Sequence, residues 1–356
     1  MDHQLRRRAL AARLDDLSID ALLITRLLHT RYLTGFTGSN GQVLIRPDET
    51  LFLTDGRYTE QSRREVPDLD RHTVVNPLRE ELPSLLGSVR RLGFEAEDLT
   101  VAARDRLAEA LGDDVELVPT TDLVEPLRAV KDDDERAAIR TAQAITDAAF
   151  DAILERFSIG VSEQQIARHL ETAMRDEGAD GLAFDSIVAF GENAAEPHHE
   201  PTHRTLEEGD IIKLDFGALA AGYHADMTRT VSFGAPPTEL KKIHDIVRTS
   251  QQAGIDAVRA GVTGSAVDAV SRGVIEEAGY GEAFVHSLGH GVGLEIHEAP
   301  SLGRKQDDPL PAGAVVTVEP GIYLPGIGGV RIEDMVEVNP DGCVVVGISN
   351  RDLIEL

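Results

Sequence analysis

Two stretches of this chain, separated by about a hundred residues, follow one plan, and that repetition limits the folds open to it. Ser158–Gly181 (SIGVSEQQIARHLETAMRDEGADG) and Arg259–Gly281 (RAGVTGSAVDAVSRGVIEEAGYG) each open on Gly-Val-Ser/Thr, run on as a helical pattern and stop at glycine. Gly160 and Gly178 recur as Gly261 and Gly279, both at an offset of 101. Ser162 and Thr263 stand where a helix needs a side-chain oxygen to accept from its first free N–H groups. Each unit follows a longer helical pattern, 132–157 and about 238–258. Each precedes strand-like segments, 211–216 and 225–233 in the first copy and 314–319 and 329–337 in the second. Helix pairs followed by strands, written twice, predict a domain of two related halves about a pseudo-two-fold axis.

The chain before the repeat alternates short helix and strand patterns. Residues 3–16 read as an amphipathic helix, Ala21–Thr25 as a strand, and Gln42–Arg46 with Leu51–Thr54 as a hairpin after the turn cluster Phe36–Gly41. Helices at Glu60–Glu65, Glu80–Arg91 and Val101–Leu111 and strands at His72–Val75, Leu92–Glu95 and Val115–Val118 complete a mixed α/β domain over 1–125. Glu125–Lys131 reads as a linker, and residues 126–356 as the second domain. The acidic run Asp132–Glu135 reads as a solvated helix start, where the helix dipole favours negative charge. A chain of 356 residues is long enough for two cores.

Charge removes several classes of function. With 62 acidic against 35 basic residues the net charge is -27, which opposes binding to nucleic acid or to an anionic membrane. Lysine occurs only at 131, 213, 241, 242 and 305. A lysine-poor acidic surface suits a high-salt cytoplasm and equally follows from a GC-rich genome. One cysteine, Cys343, allows neither an intrachain disulfide nor a cysteine-based zinc site. No apolar run approaches the about 18 residues of a membrane span, and the N-terminus lacks the apolar core of a signal peptide. The expectation is a soluble cytoplasmic protein.

The repeat also carries polar residues that solvation does not explain. Asp215 ends the apolar run DIIKLDFGA and Asp226 lies in GYHADMTRTV; Glu319 ends AVVTVEPG and Glu333 lies in GGVRIEDMVEV. Asp215 to Glu319 is an offset of 104, Asp226 to Glu333 is 107, and His198 to His297 is 99. Folding the halves together therefore gathers four carboxylates and at least two histidines around one axis. Four buried carboxylates cannot all ionise unless cations neutralise them. One divalent ion leaves a residual charge near about −2, and two balance it. Carboxylates with a single imidazole suit Mn, Co, Fe or Zn better than Ca. A pair of such ions about 3.5–4 Å apart activates a water and polarises a carbonyl. The glycine-rich stretch Phe284–Pro300 (FVHSLGHGVGLEIHEAP) supplies His286, His290 and His297, with glycines that let the backbone pass close to the site.

These motifs are recognisable. FxHSLGHGVGLEIHEAP, LDFGAxxxGYxADMTRT, TVEPGIY and VRIEDM resemble the metallopeptidases that include prolidase, aminopeptidase P and methionine aminopeptidase. RYLTGFTGSNG and TDGRYTEQ resemble the N-terminal domain of the Xaa-Pro members and of creatinase. The resemblance implies an α+β chain: a C-terminal pita-bread catalytic domain with an internal pseudo-two-fold repeat, behind a smaller mixed α/β domain. It implies two divalent metal ions, Mn first among Mn, Co, Zn and Fe. Asp215 would bind one metal, Asp226 and Glu333 would bridge, and His290 and Glu319 would bind the second. Glu319 would also shuttle protons. His198 and His297 would contact the reacting carbonyl, with Arg331 beside the bridging glutamate, His286 lining the substrate and His199 secondary. The implied reaction is hydrolysis of an Xaa-Pro bond in a dipeptide or short peptide by a homodimer, as Xaa-Pro dipeptidase or Xaa-Pro aminopeptidase. The rival reading is a non-peptidase on the same scaffold, either a small-molecule C–N hydrolase or a non-catalytic binding module.

Overall fold

The chain opens on a helix, His3–Ala11, capped by the Asp2 side chain, and its first strand is Ala21–Ile24. A computed structural model describes the whole chain, Met1–Leu356. Packing divides it into two compact units, Met1–Arg128 and Ala129–Leu356.

The first unit is built on a six-stranded mixed sheet. Its strands lie in the order Asp70–Thr73, Thr50–Thr54, Gly41–Ile45, Ala21–Ile24, Arg91–Glu95, Glu116–Thr120. The expected hairpin forms with Val43 opposite Phe52, and the outer pairs on both sides are parallel. Ala21, Leu23, Leu44, Leu53 and Leu92 make a fully covered apolar centre. Two expectations fail here, and one helix was not foreseen. Residues 80–91 are not one helix: a wide turn at Pro77–Glu81 passes into Leu82–Leu85 and stops. Pro83 suits only a first turn, and Gly87 takes φ +57, so the chain is free to extend into the Arg91–Glu95 strand. Leu27–Thr34, rich in residues of weak helix propensity, is a helix closed by Gly35 at φ 79. Residues 125–131 are not an open linker, because Glu125–Ala129 forms a helical turn with Pro126 in its opening position.

The second unit carries the duplication. Asp132 caps Asp133–Leu154 through a reciprocal box with Glu135, and Ser162 caps Glu163–Asp176 in the same way with Gln165. Thr263 caps Gly264–Glu277 without the return bond. Gly178 and Gly279 end the paired helices at φ 99 and 87, and Gly160 and Gly261 precede them at φ 86 and 83. Matched backbone at matched positions gives the repeat a structural basis. The acidic run corrects one reading: Glu135 is 2% exposed and accepts a hydrogen bond from the Tyr223 hydroxyl at 2.9 Å.

Each half contributes an antiparallel sheet. In the first, Ile211–Phe216 runs between Ile187–Phe190 and Met227–Ser232. In the second, Val315–Val318 runs between Gly289–Gly291 and Asp334–Asn339, with Glu298–Leu302 and Gly342–Val345 outside them. The helices Thr238–Ala257 and Gly264–Glu277 cover the second sheet through Ile243, Val247, Val267 and Ile275, all essentially unexposed. That cover leaves the strand ends at the centre of the domain to face the opposite half.

Candidate metal centre

The carboxylates sit where the two central strands end. Asp215 is the fifth residue of Ile211–Phe216 and lies opposite Thr228, while Glu319 follows Val318, the last residue of its strand. Asp226 and Glu333 immediately precede Met227–Ser232 and Asp334–Asn339. All ten residues singled out in the sequence line one cavity of roughly 850 Å³. Asp215, Asp226, Glu333 and Arg331 are buried, whereas His198 and His297 are exposed to the cavity.

The His290 ring is presented with a defined tautomer. Its Nδ1 lies 3.1 Å from the Gly291 carbonyl, which fixes the proton there and leaves the Nε2 lone pair for other use. Nε2 points at Asp226 Oδ2 (3.5 Å) and Glu319 Oε1 (3.4 Å). Ligand atoms of Asp226, His290 and Glu333 all fall within 4.8 Å of one another. The flanking glycines serve packing rather than ligand approach. A Cβ on Gly289 would stand 2.0 Å from the Thr317 carbonyl oxygen, and one on Gly291 would stand 2.5 Å from that of Ala299.

The donor set fits divalent cations. Asp215 Oδ1 and Glu333 Oε1 are buried and accept no hydrogen bond, a costly state for carboxylate oxygens that a cation relieves. Among protein groups alone, burial followed by Glu333 and Asp215 pushes the Asp226 carboxyl well above its ordinary value. Burial followed by Glu319 and Asp215 does the same to Glu333. Burial, partly opposed by Arg331, pushes Glu319 up to about 7. Burial holds the His290 imidazole below its ordinary value, so it is neutral, as a ligand must be.

Arg331 ties the halves behind this cluster. Its guanidinium bonds Asp215 Oδ2, the Tyr323 hydroxyl (2.9 Å), the Pro197 carbonyl (3.2 Å) and Thr228 Oγ1 (2.9 Å). Thr228 in turn donates to Glu333 Oε2 at 2.7 Å. His286 Nε2 lies 2.9 Å from the Tyr323 hydroxyl, and burial lowers its pKa to about 3. His297 stacks edge-on against His290 with centroids 4.3 Å apart. His199 is held between Glu163 (3.0 Å) and Glu196 (3.1 Å).

Four contributors escaped the sequence reading. Thr228 and Tyr323 complete the Arg331 network, and Glu163, fully buried, anchors the loop around His198 by accepting from Phe190 N, Asn193 Nδ2 and Thr202 N. The fourth is Lys213, also unexposed, whose ammonium reaches three backbone carbonyls. Burial, with Arg331 second, pulls the Lys213 pKa down to about 6, while the three carbonyl oxygens favour its charged form. A signal existed only for Lys213, a charged residue in an apolar strand.

This fold and ligand set define a metallopeptidase scaffold. The chain belongs to metallopeptidase family M24, whose model matches residues 137–340, and residues 6–130 match the creatinase/prolidase N-terminal domain. It is 34% identical to the Xaa-Pro dipeptidase of Pyrococcus furiosus over 96% of this chain and 97% of that one. Among solved structures it resembles an Xaa-Pro dipeptidase from Bacillus anthracis (42% identity, TM-score 0.97, all of both chains). It also resembles an X-Pro aminopeptidase from Thermotoga maritima (39% identity, TM-score 0.91, 97% of this chain and 100% of that one). No helix is long and apolar enough to cross a membrane.

Proposed function

We propose that the chain hydrolyses the bond between an N-terminal residue and proline, in dipeptides or short peptides, using two divalent cations. The observation that carries this reading is the cluster of Asp226, His290 and Glu333 with Asp215 and Glu319 around it, two carboxylate oxygens of which have no protein partner. Relatives named both Xaa-Pro dipeptidase and X-Pro aminopeptidase support the proline specificity.

Asp215, Asp226, His290, Glu319 and Glu333 would hold the cations, with Mn the first to test. Bound there, they supply Lewis acidity toward the substrate carbonyl and a water activated near neutral pH. Glu319, at the end of its strand with Oε1 3.4 Å from His290 Nε2, is placed to take a proton from water and deliver it to the proline nitrogen, which as a tertiary amide needs protonation to leave. His198 and His297, exposed in the cavity, donate to carbonyl oxygens as charge develops. Arg331 fixes Asp215 and neutralises part of the acidic charge, and His286 lines the substrate through its bond to Tyr323. The intact ligand set weighs against a non-catalytic binder. We place the enzyme in the cytoplasm as a homodimer.

The test is turnover of an Xaa-Pro dipeptide, an Xaa-Pro-Yaa tripeptide and an Xaa-Ala dipeptide by Mn-loaded protein. Cleavage of the first, with or without the second, and failure on the third is expected; equal turnover of Xaa-Ala would remove the proline specificity.

A further inference from the structure

His198 owes its place to its neighbours. No hydrogen bond holds its ring, which is exposed in the cavity, so the backbone of the turn must aim it. That turn follows the short helix Gly191–Ala195 and carries Glu196, Pro197, His198 and His199. No backbone N–H donates to the carbonyls of Ala194, Glu196 or Pro197.

Lys213 meets them. It lies on the central strand Ile211–Phe216, two residues before Asp215, with its side chain fully enclosed. Its Nζ reaches the carbonyl oxygens of Ala194 (3.2 Å), Glu196 and Pro197 (3.3 Å), and stands 5.3 Å from the centre of the Tyr323 ring. An ammonium has three donors and no acceptor, so it can satisfy three convergent carbonyls at once. Arg331 adds a further donor to the Pro197 carbonyl, and Glu163 holds His199 from the other side. The residues on either side of His198 are thus pinned while its own ring is left free for another partner. Two of the five lysines, Lys131 and Lys213, are buried; Lys131 pairs with the Glu298 carboxylate at 2.8 Å, whereas the hydrogen bonds of Lys213 all go to backbone carbonyls.

We propose that Lys213 is a positioning residue for His198: it anchors the turn of residues 194–197 to the strand that carries Asp215, and so sets the distance between His198 and the carboxylate cluster. This rests on the reading of His198 as a substrate-contacting group. The role is geometric, and it needs neither contact between Lys213 and substrate nor any exchange of protons.

The test is a double-mutant cycle on metal-loaded protein with Lys213→Met, His198→Ala and the pair, reading kcat/KM, metal content and thermal midpoint. Lys213→Met is expected to lower kcat/KM by about tenfold to a hundredfold, the range expected when a reacting group is displaced by an ångström or so. Metal content should be unchanged. In the His198→Ala background the same substitution should cost less than about twofold, because its effect runs through a side chain already removed. A reduction that multiplies fully with that of His198→Ala, or a loss of bound metal, would overturn the proposal and place Lys213 with the metal ligands or the general fold. If Lys213→Met is too unstable to assay, Lys213→Gln, which keeps two N–H donors, carries the same cycle with the same criterion. Should His198→Ala leave kcat/KM intact, the reading of His198 fails; should it be costly while Lys213→Met is silent, only the Lys213 proposal fails.

Discussion

The two halves of the catalytic domain share a frame and differ in what they hang on it. Helix caps, glycine stops and strand-end carboxylates recur at offsets of 101 to 107, and each half places a carboxylate at a strand end and another just before a later strand. The contents then diverge. The first half sets Asp215 within a paired strand opposite Thr228, whereas Glu319 lies one residue past its strand. At the offset of 104 that relates these two, Lys213 is matched by Thr317, which accepts from His290 N and donates to Glu319. Only the second half supplies an imidazole to the cluster and the arginine that crosses to Asp215. Duplication explains where the candidate ligands are; divergence explains why Asp215 is clamped by a guanidinium while Glu319 accepts from a threonine hydroxyl.

That asymmetry can be broken most severely at Glu319. Glu319→Gln should lower kcat by about 10²–10⁴-fold, the usual worth of a general acid–base group, with metal and fold retained. Near-normal turnover in the metal-loaded variant would move the proton role elsewhere. The two facing histidines should separate next. His290→Ala should lose metal by elemental analysis, whereas His297→Ala should keep it and lose about 10²-fold in kcat. Metal loss from both would mean that the ring contact between them, not their different roles, governs the site.

Smaller effects sharpen the picture. Thr228→Val leaves Glu333 Oε2 and Arg331 Nε without their buried partner, at a cost of about 1–3 kcal/mol seen as a lower thermal midpoint. An unchanged midpoint would show the network to be redundant. A pH trend reads the same cluster without its metal. Glu319 is raised from 4.5 to about 7 by burial, so the folded, metal-free protein binds a proton that the unfolded chain has released. Stability is then fully present below about pH 4.5 and is lost as pH rises through about 7, by on the order of 3 kcal/mol. Asp226 and Glu333 act in the same direction. Thermal midpoints of chelator-treated protein should fall between pH 5 and 8, and added Mn should abolish that fall.

Much of this site could be read from the sequence, for an identifiable physical reason. A carboxylate closing an apolar strand, as at Asp215 or Glu319, has no solvation rationale, and its recurrence at a fixed offset doubles the signal. Arg331 and His290 were legible because they stand inside the same short motifs. Glu163 and Thr228 were not, since each acts through partners 27 to 105 residues away that only folding brings near, and Tyr323 joins Arg331, eight residues on, to His286, 37 residues back. Glu135 misled because a helix start full of acids has an ordinary explanation, and only the Tyr223 hydroxyl opposite it supplies another. In the first unit the errors fell at Pro83, Gly87 and Pro126, where proline permits a first helical turn but does not say whether a second will follow.

The central claim, a two-cation site that cleaves before proline, is tested most directly by titrating Mn into chelator-treated protein while following proline release from an Xaa-Pro dipeptide. The account predicts no release without metal, activity that saturates at about two cations per chain, and a Glu319→Gln variant that binds the same metal without turnover. Release that survives chelation, or none at any metal loading, would contradict it.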